Sequence, residues 1–103
     1  MVKKISAKEF HEAEASKAAV VDFSASWCMP CGMLAPVLEE VSEDMAGKMD
    51  FFNVDIDEAP DLATRFGVAS IPCLVVLKDG EKIDQSVGFL PKEALTEFIE
   101  KNM

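Results

Sequence analysis

The run Ala19-Val20-Val21-Asp22-Phe23 limits the fold more than any other stretch of this chain. It has the length of a strand, and its apolar side chains occupy successive positions rather than alternate ones. Neighbouring side chains of a strand point to opposite faces, so such a run needs cover on both faces of its sheet. Helices on both sides are the expected cover.

The flanking sequence supplies them. Ser6-Ala7-Lys8-Glu9 is a capping-box pattern. It predicts a short helix through about Lys17, with Ala7, Phe10 and Ala13 on one face. After Cys31, the apolar residues Met33, Leu34, Val37, Leu38, Val41 and Met45 fall at helical spacing, with Glu39, Glu40, Glu43 and Asp44 opposite. Pro36 should kink that helix and Gly47 should stop it. Met49 to Val54 reads as the next strand, and Pro60 to Phe66 as a short helix closed by Gly67. Cys73 to Leu77 and Lys82 to Val87 read as two strands joined at Asp79-Gly80, a hairpin signal. Pro91 suits the first turn of a last helix to about Asn102, with Ala94, Leu95, Phe98 and Ile99 inward. The order is strand, helix, strand, helix, strand, helix, hairpin and helix. Helical crossovers imply parallel pairing early on, and the hairpin must be antiparallel. The expected class is α/β, a mixed sheet with helices on both faces. No repeat or linker interrupts the 103 residues, so one domain over 1–103 is expected.

The net charge of −9 argues against a nucleic-acid partner, since phosphate repulsion would oppose binding. It serves solubility, or steers the chain toward a basic partner face. No apolar run is long enough to span a bilayer, and the start at Met1-Val2-Lys3-Lys4 has no export pattern, so the expectation is a cytoplasmic protein without membrane partners. High charge and the lack of sustained heptads make a monomer the expected state.

Chemistry concentrates at Trp27-Cys28-Met29-Pro30-Cys31. Two cysteines two residues apart can close a small disulfide ring and reopen it. At a helix start the first sulfur lies near free backbone N–H groups and the positive end of the dipole, which favour the attacking thiolate. Cys28 is the candidate nucleophile; Cys31, one turn further in, would attack Cys28 in the mixed disulfide and release a reduced substrate. Zinc wants four ligands, and only Cys73 and His11 stand outside the pair, without ligand spacing, so no metal is expected. Pro30 suits a first helical turn and, with Met29, should tune ring closure.

Three further residues need a reading of their own. Trp27 is either a substrate-contacting ring beside the sulfur or ordinary core. Asp22, inside an apolar strand, is either a strand-edge residue satisfied by backbone donors or a buried acid of raised pKa that takes the Cys31 proton. Pro72 in Ile71-Pro72-Cys73 belongs at a strand start because it lacks a ladder donor.

Together these residues resemble the thioredoxin family, from Ile5 to Asn102. The resemblance rests on Val21-Asp22-Phe23, Ala25, Trp27-Cys28-x-Pro30-Cys31, Pro36, Asn53-Val54-Asp55, Phe66-Gly67-Val68, Ile71-Pro72, Asp79-Gly80 and Val87-Gly88. It implies a five-stranded mixed sheet flanked by four helices, and a protein-disulfide reductase whose only redox group is the Cys28–Cys31 pair. It implies that Asp22 is the family's buried acid and Pro72 its cis-proline. It places Trp27, Gly67 to Ile71 and Val87-Gly88 on the docking surface, and it implies reduction by a thioredoxin reductase.

The chain also departs from the common pattern. Met29 replaces the usual Gly between Cys and Pro, which should alter substrate contact. Ser24 stands where Trp is common, and Gly32 where Lys is common. Phe51 is read as replacing a Lys near the buried acid, which would leave Asp22 with a still higher pKa. Cys73 stands where Thr usually follows the cis-proline; it is either an inert buried side chain or a third thiol beside the pair. Three functions compete: a general reductase, an electron donor dedicated to one system such as a peroxidase, and a non-catalytic binding module.

Overall fold

The computed structural model describes residues 1–103. Five strands form one sheet: β1 (Val2–Lys4), β2 (Ala18–Ser24), β3 (Asp50–Asp55), β4 (Cys73–Lys78) and β5 (Glu81–Val87), in the order β1-β3-β2-β4-β5. β1, β3 and β2 are mutually parallel; β4 runs antiparallel to β2, and β5 to β4. Four helices complete the chain: α1 (His11–Ala15), α2 (Met29–Asp44), α3 (Pro60–Arg65) and α4 (Lys92–Glu100). This is the α/β architecture expected from the sequence.

The central strand β2 explains its own composition. Val21 and Phe23 enter an apolar cluster that includes Phe10 and Ala13 of the first helical segment, Leu62 of α3 and the neighbouring Phe66. Val20 faces the other way, toward Leu34 and Leu38 of α2 and Leu95 and Ile99 of α4. Both clusters need β2, so it has no wet face. Asp22, two residues on, shares the α2/α4 side with Val20.

Two of the helical segments differ from expectation. The first helical segment starts as a 3-10 turn over Ala7–Glu9, held by the Ser6 N–H donating to Glu9 Oε1 at 2.9 Å, and becomes α-helical only at His11. Ala7 is exposed rather than inward, because Ile5, in the connection before the turn, fills that end of the cluster. On α2 the buried stripe is Cys31, Leu34, Leu38 and Val41, and Met33 lies one residue off it, 55% exposed. The helix is unbroken across Pro36.

The hairpin turn is tight for a physical reason. Asp79 and Gly80 both adopt positive φ, and a Cβ at Gly80 would lie 2.9 Å from the Glu14 carbonyl oxygen. Only glycine fits the turn against α1.

Candidate active site

β2 ends at Ser24, and a short turn delivers the chain to α2. Cys28 caps that helix, its Sγ accepting the backbone N–H of Cys31 at 3.3 Å. The sulfur thus takes up one of the donors that a helix start leaves without an internal partner. Cys28 and Cys31 form a disulfide, with Cα atoms 5.3 Å apart. Pro30 sits within the first turn, where a missing N–H leaves no helical bond unmade. The two cysteines and Ala25 make a small apolar cluster against which Ile56 and Ile71 pack.

Around this cluster the surface is apolar and open. Met29 is 79% exposed and Trp27 69%. Trp27 is therefore not a core residue. Its indole Nε1–H donates to Asp57 Oδ2 at 2.8 Å, which fixes the ring beside Cys28 while leaving most of it in solvent. The Ile71–Pro72 peptide is cis, and Pro72 is buried just before β4. Its carbonyl accepts the Gly88 N–H at 2.8 Å, tying the loop after β5 to the loop before β4. Gly88 holds φ +99°, which an L side chain would resist.

Asp22 is buried, 2% exposed, and lines a cleft of about 300 Å³ together with Lys4, Ser24, Cys28, Cys31 and Asn53. Burial pushes its carboxyl pKa up to about 6, with a hydrogen bond from Asn53 pulling the other way. Its Oδ1 has no hydrogen-bond partner in the protein. The backbone-satisfied reading therefore fails. The residue level with Asp22 adds to the sequence reading: Asn53 is its partner in the β2–β3 register, while Phe51, two residues earlier on the same face, pairs with Val20 and belongs to the apolar cluster. Asn53 Nδ2 donates to Asp22 Oδ2 at 3.3 Å, to the Asp22 carbonyl at 3.2 Å and to Ser24 Oγ at 2.8 Å. Asn53 was missed as a site residue, yet a signal existed: it is a polar residue inside Phe51-Phe52-Asn53-Val54, the same anomaly that marked Asp22.

Cys73 joins the α1/α3 cluster, fully buried, on the face opposite Asp22. Burial pushes its thiol pKa up, which favours the inert protonated form. No group of three or more His, Cys, Asp or Glu residues is arranged to hold a metal ion.

Opening and closing the Cys28–Cys31 ring is a two-electron exchange. A fold that presents such a ring at the end of its central strand, capping a helix, defines the class of thiol–disulfide oxidoreductases. Known proteins narrow that class. The thioredoxin family profile matches residues 1–101. The chain is 49% identical over 100 residues to thioredoxin of Staphylococcus haemolyticus, spanning 97% of this chain and 96% of that one. It is 46% identical, with the same coverage, to thioredoxin of Staphylococcus aureus. Among solved structures it resembles a mutant thioredoxin from Halobacterium salinarum, with TM-score 0.88 and 32% identity over 97% of this chain and 88% of that one. It also resembles chloroplastic thioredoxin z, with TM-score 0.84 and 34% identity over 97% and 92%. The chain belongs to the thioredoxin family. It is a disulfide oxidoreductase that works by dithiol–disulfide exchange at Cys28 and Cys31.

Proposed function

We propose that this chain is a general protein-disulfide reductase in which Cys28 attacks and Cys31 resolves. The observation that carries the assignment is the capping position of Cys28: its sulfur receives a helix N–H, while Cys31 sits one turn behind it and more covered, 4% against 8% exposed. In the reduced protein the Cys28 thiolate attacks a substrate disulfide. A Cys28–substrate disulfide forms, and the other substrate sulfur leaves as thiolate. Cys31 then gives up its proton and attacks Cys28. The intramolecular disulfide forms and the second substrate sulfur leaves with its electron pair. The substrate gains two electrons and the Cys28–Cys31 pair loses two.

In this reading Asp22 accepts the Cys31 proton, supported by their shared cleft and by a carboxyl pKa of about 6, close to working pH. Trp27, Met29, Pro30, Ile71, Pro72 and Gly88 hold substrate chain against the disulfide. Their support is the exposure of Trp27 and Met29 beside Cys28, the packing of Ile71 on the cysteine cluster, and the Gly88–Pro72 tie. The electron donor is a thioredoxin reductase and the acceptors are disulfide-containing proteins; neither nucleic acid nor membrane is a partner. The protein acts as a single-domain monomer over 1–103 in the cytoplasm, a reducing compartment in which a reductase can be recharged. No helix is long and apolar enough to cross a membrane. No cofactor beyond the cysteine pair is needed.

Dithiol-driven reduction of insulin tests this. The native chain should turn over and Cys28→Ser should fall to background. Cys31→Ser should accumulate a mixed disulfide on Cys28. Equal background rates for native and Cys28→Ser would overturn the general-reductase reading.

A further inference from the structure

The proton-accepting carboxylate has two oxygens in different surroundings. Asp22 Oδ2 receives the Asn53 amide, and Asp22 Oδ1 receives nothing. The orientation of that amide is fixed by its neighbours. The Asp22 carbonyl and carboxylate can only accept, so the nitrogen end of Asn53 must face them. The Ser24 hydroxyl, 2.8 Å from the same nitrogen, anchors it from the next inward position of β2. Asn53 comes from β3, and its register places it level with Asp22 on one side and Lys4 on the other.

We propose that Asn53 is a positioning residue for the thiol exchange: it occupies Asp22 Oδ2 and so directs proton transfer to Oδ1. The assignment deepens the reading of Asp22 as proton acceptor and rests on it. An oxygen that already accepts an N–H is the poorer site for a proton, so neutral Asp22 carries its proton on Oδ1. The proton leaves the Cys31 thiol as Cys31 attacks Cys28, and it ends on Asp22 Oδ1. The bond between Cys28 and the substrate sulfur breaks, and that sulfur departs as thiolate. Asp22 then returns the proton to solvent or to the departing thiolate.

An amide also does what neither an apolar residue nor a lysine would do at this place. It donates to the ionised carboxylate and adds no charge, so it lowers the Asp22 pKa from the value burial alone would set without forcing full ionisation. The other titratable groups around Asp22 are Lys4 of β1, Asp55 at the end of β3, Cys28 and Cys31 of the α2 start, and Cys73 of β4. Lys4 is the one cation of that set, and its Nζ lies 3.4 Å from Glu58 Oε2.

The test is the pH profile of the resolving step. Reduced protein is mixed with one equivalent of the aryl disulfide dithiobis(nitrobenzoate), and release of the second thiolate is followed by stopped flow. The native rate should rise through the ionisation of Asp22. In Asn53→Leu the midpoint should move up by about one pH unit, and the rate near the native midpoint should fall several-fold. In Asn53→Lys the midpoint should move down, because donor and positive charge then act together. Asn53→Asp, nearly isosteric and lacking the donor, should move it up and serves if the leucine variant does not fold. Asp22→Asn should remove this limb of the profile altogether. If the limb disappears in Asp22→Asn but the Asn53 variants keep the native midpoint, the assignment of Asn53 is overturned and Asp22 stands. If Asp22→Asn keeps the limb, Asp22 is not the acceptor and both assignments fail together.

Discussion

The two faces of the sheet are built from the same strands and do different work. Toward α1 and α3, Val21, Phe23, Phe52, Val54, Cys73 and Val75 form an uninterrupted apolar layer. Phe66 closes it, its ring 5.5 Å from Phe10 and 5.9 Å from Phe23. Toward α2 and α4 the layer begins in the same way, with Val20, Phe51, Leu74 and Leu34. It then changes near the ends of β2 and β3, where Asp22, Ser24 and Asn53 face the cleft of the cysteines. Both faces are packed, but only the second also buries a carboxylate with an unpartnered oxygen. Adjacent residues of one strand, Asp22 and Phe23, mark the divide.

Three measurements probe that divide. The largest effect belongs to the apolar face. Phe23 is fully buried, and Phe23→Ala should lower unfolding free energy by about 3–5 kcal/mol in urea titration, through lost burial and the cavity left behind. A loss under about 1 kcal/mol would mean that this layer is not the main support. Asp22 should act in the opposite direction. Its folded pKa of about 6 lies above its ordinary value of 3.8, so between roughly pH 4 and pH 6 the unfolded chain releases the proton while the folded chain keeps it. Stability therefore falls as pH rises through this window and stays lower above it, by about 2–3 kcal/mol. Asp22→Asn should be more stable than the native chain by about that amount at pH 7, and the difference should vanish below about pH 4. A difference independent of pH would show that the charge is not its source. The smallest effect belongs to Cys73. Cys73→Ala should cost about 1 kcal/mol and leave insulin reduction unchanged, because the thiol is sealed in the opposite layer. A fall in rate would join the two faces in one mechanism.

Much of this division was legible in the sequence, and the reasons are local. A strand without polar alternation has to be covered on both faces, so Ala19 to Phe23 demanded helices on both sides. A cysteine pair at the start of a helical pattern announces a ring that caps the helix. Asp22 stood out because a carboxylate interrupts an apolar run. What was not legible depends on pairing between distant segments. The partner of Asp22 is set by the register of β2 on β3, some thirty residues apart, and a two-residue displacement separates Phe51 from Asn53. Met33 was expected inward with Leu34 and Val37, but it lies one residue off the buried stripe of Cys31, Leu34, Leu38 and Val41 and faces solvent. Trp27 was ambiguous for another reason: it precedes α2 and has no periodic neighbours to say which way it faces. Ala7 failed because the helical segment begins with a tighter 3-10 turn and Ile5 takes the inward place.

The ring itself spans only residues 28–31 and lies at the rim of the sheet. A crosslink between residues three apart restrains little of an unfolded chain, and both apolar layers are complete without it. Opening the bond therefore removes no side chain from either packed layer. The molecule is built as a rechargeable carrier: charge is stored at one tip, outside both packed layers of the body. Partners that must tell the two forms apart have to read the few ångströms around Cys28, which is where the exposed Trp27 and Met29 stand.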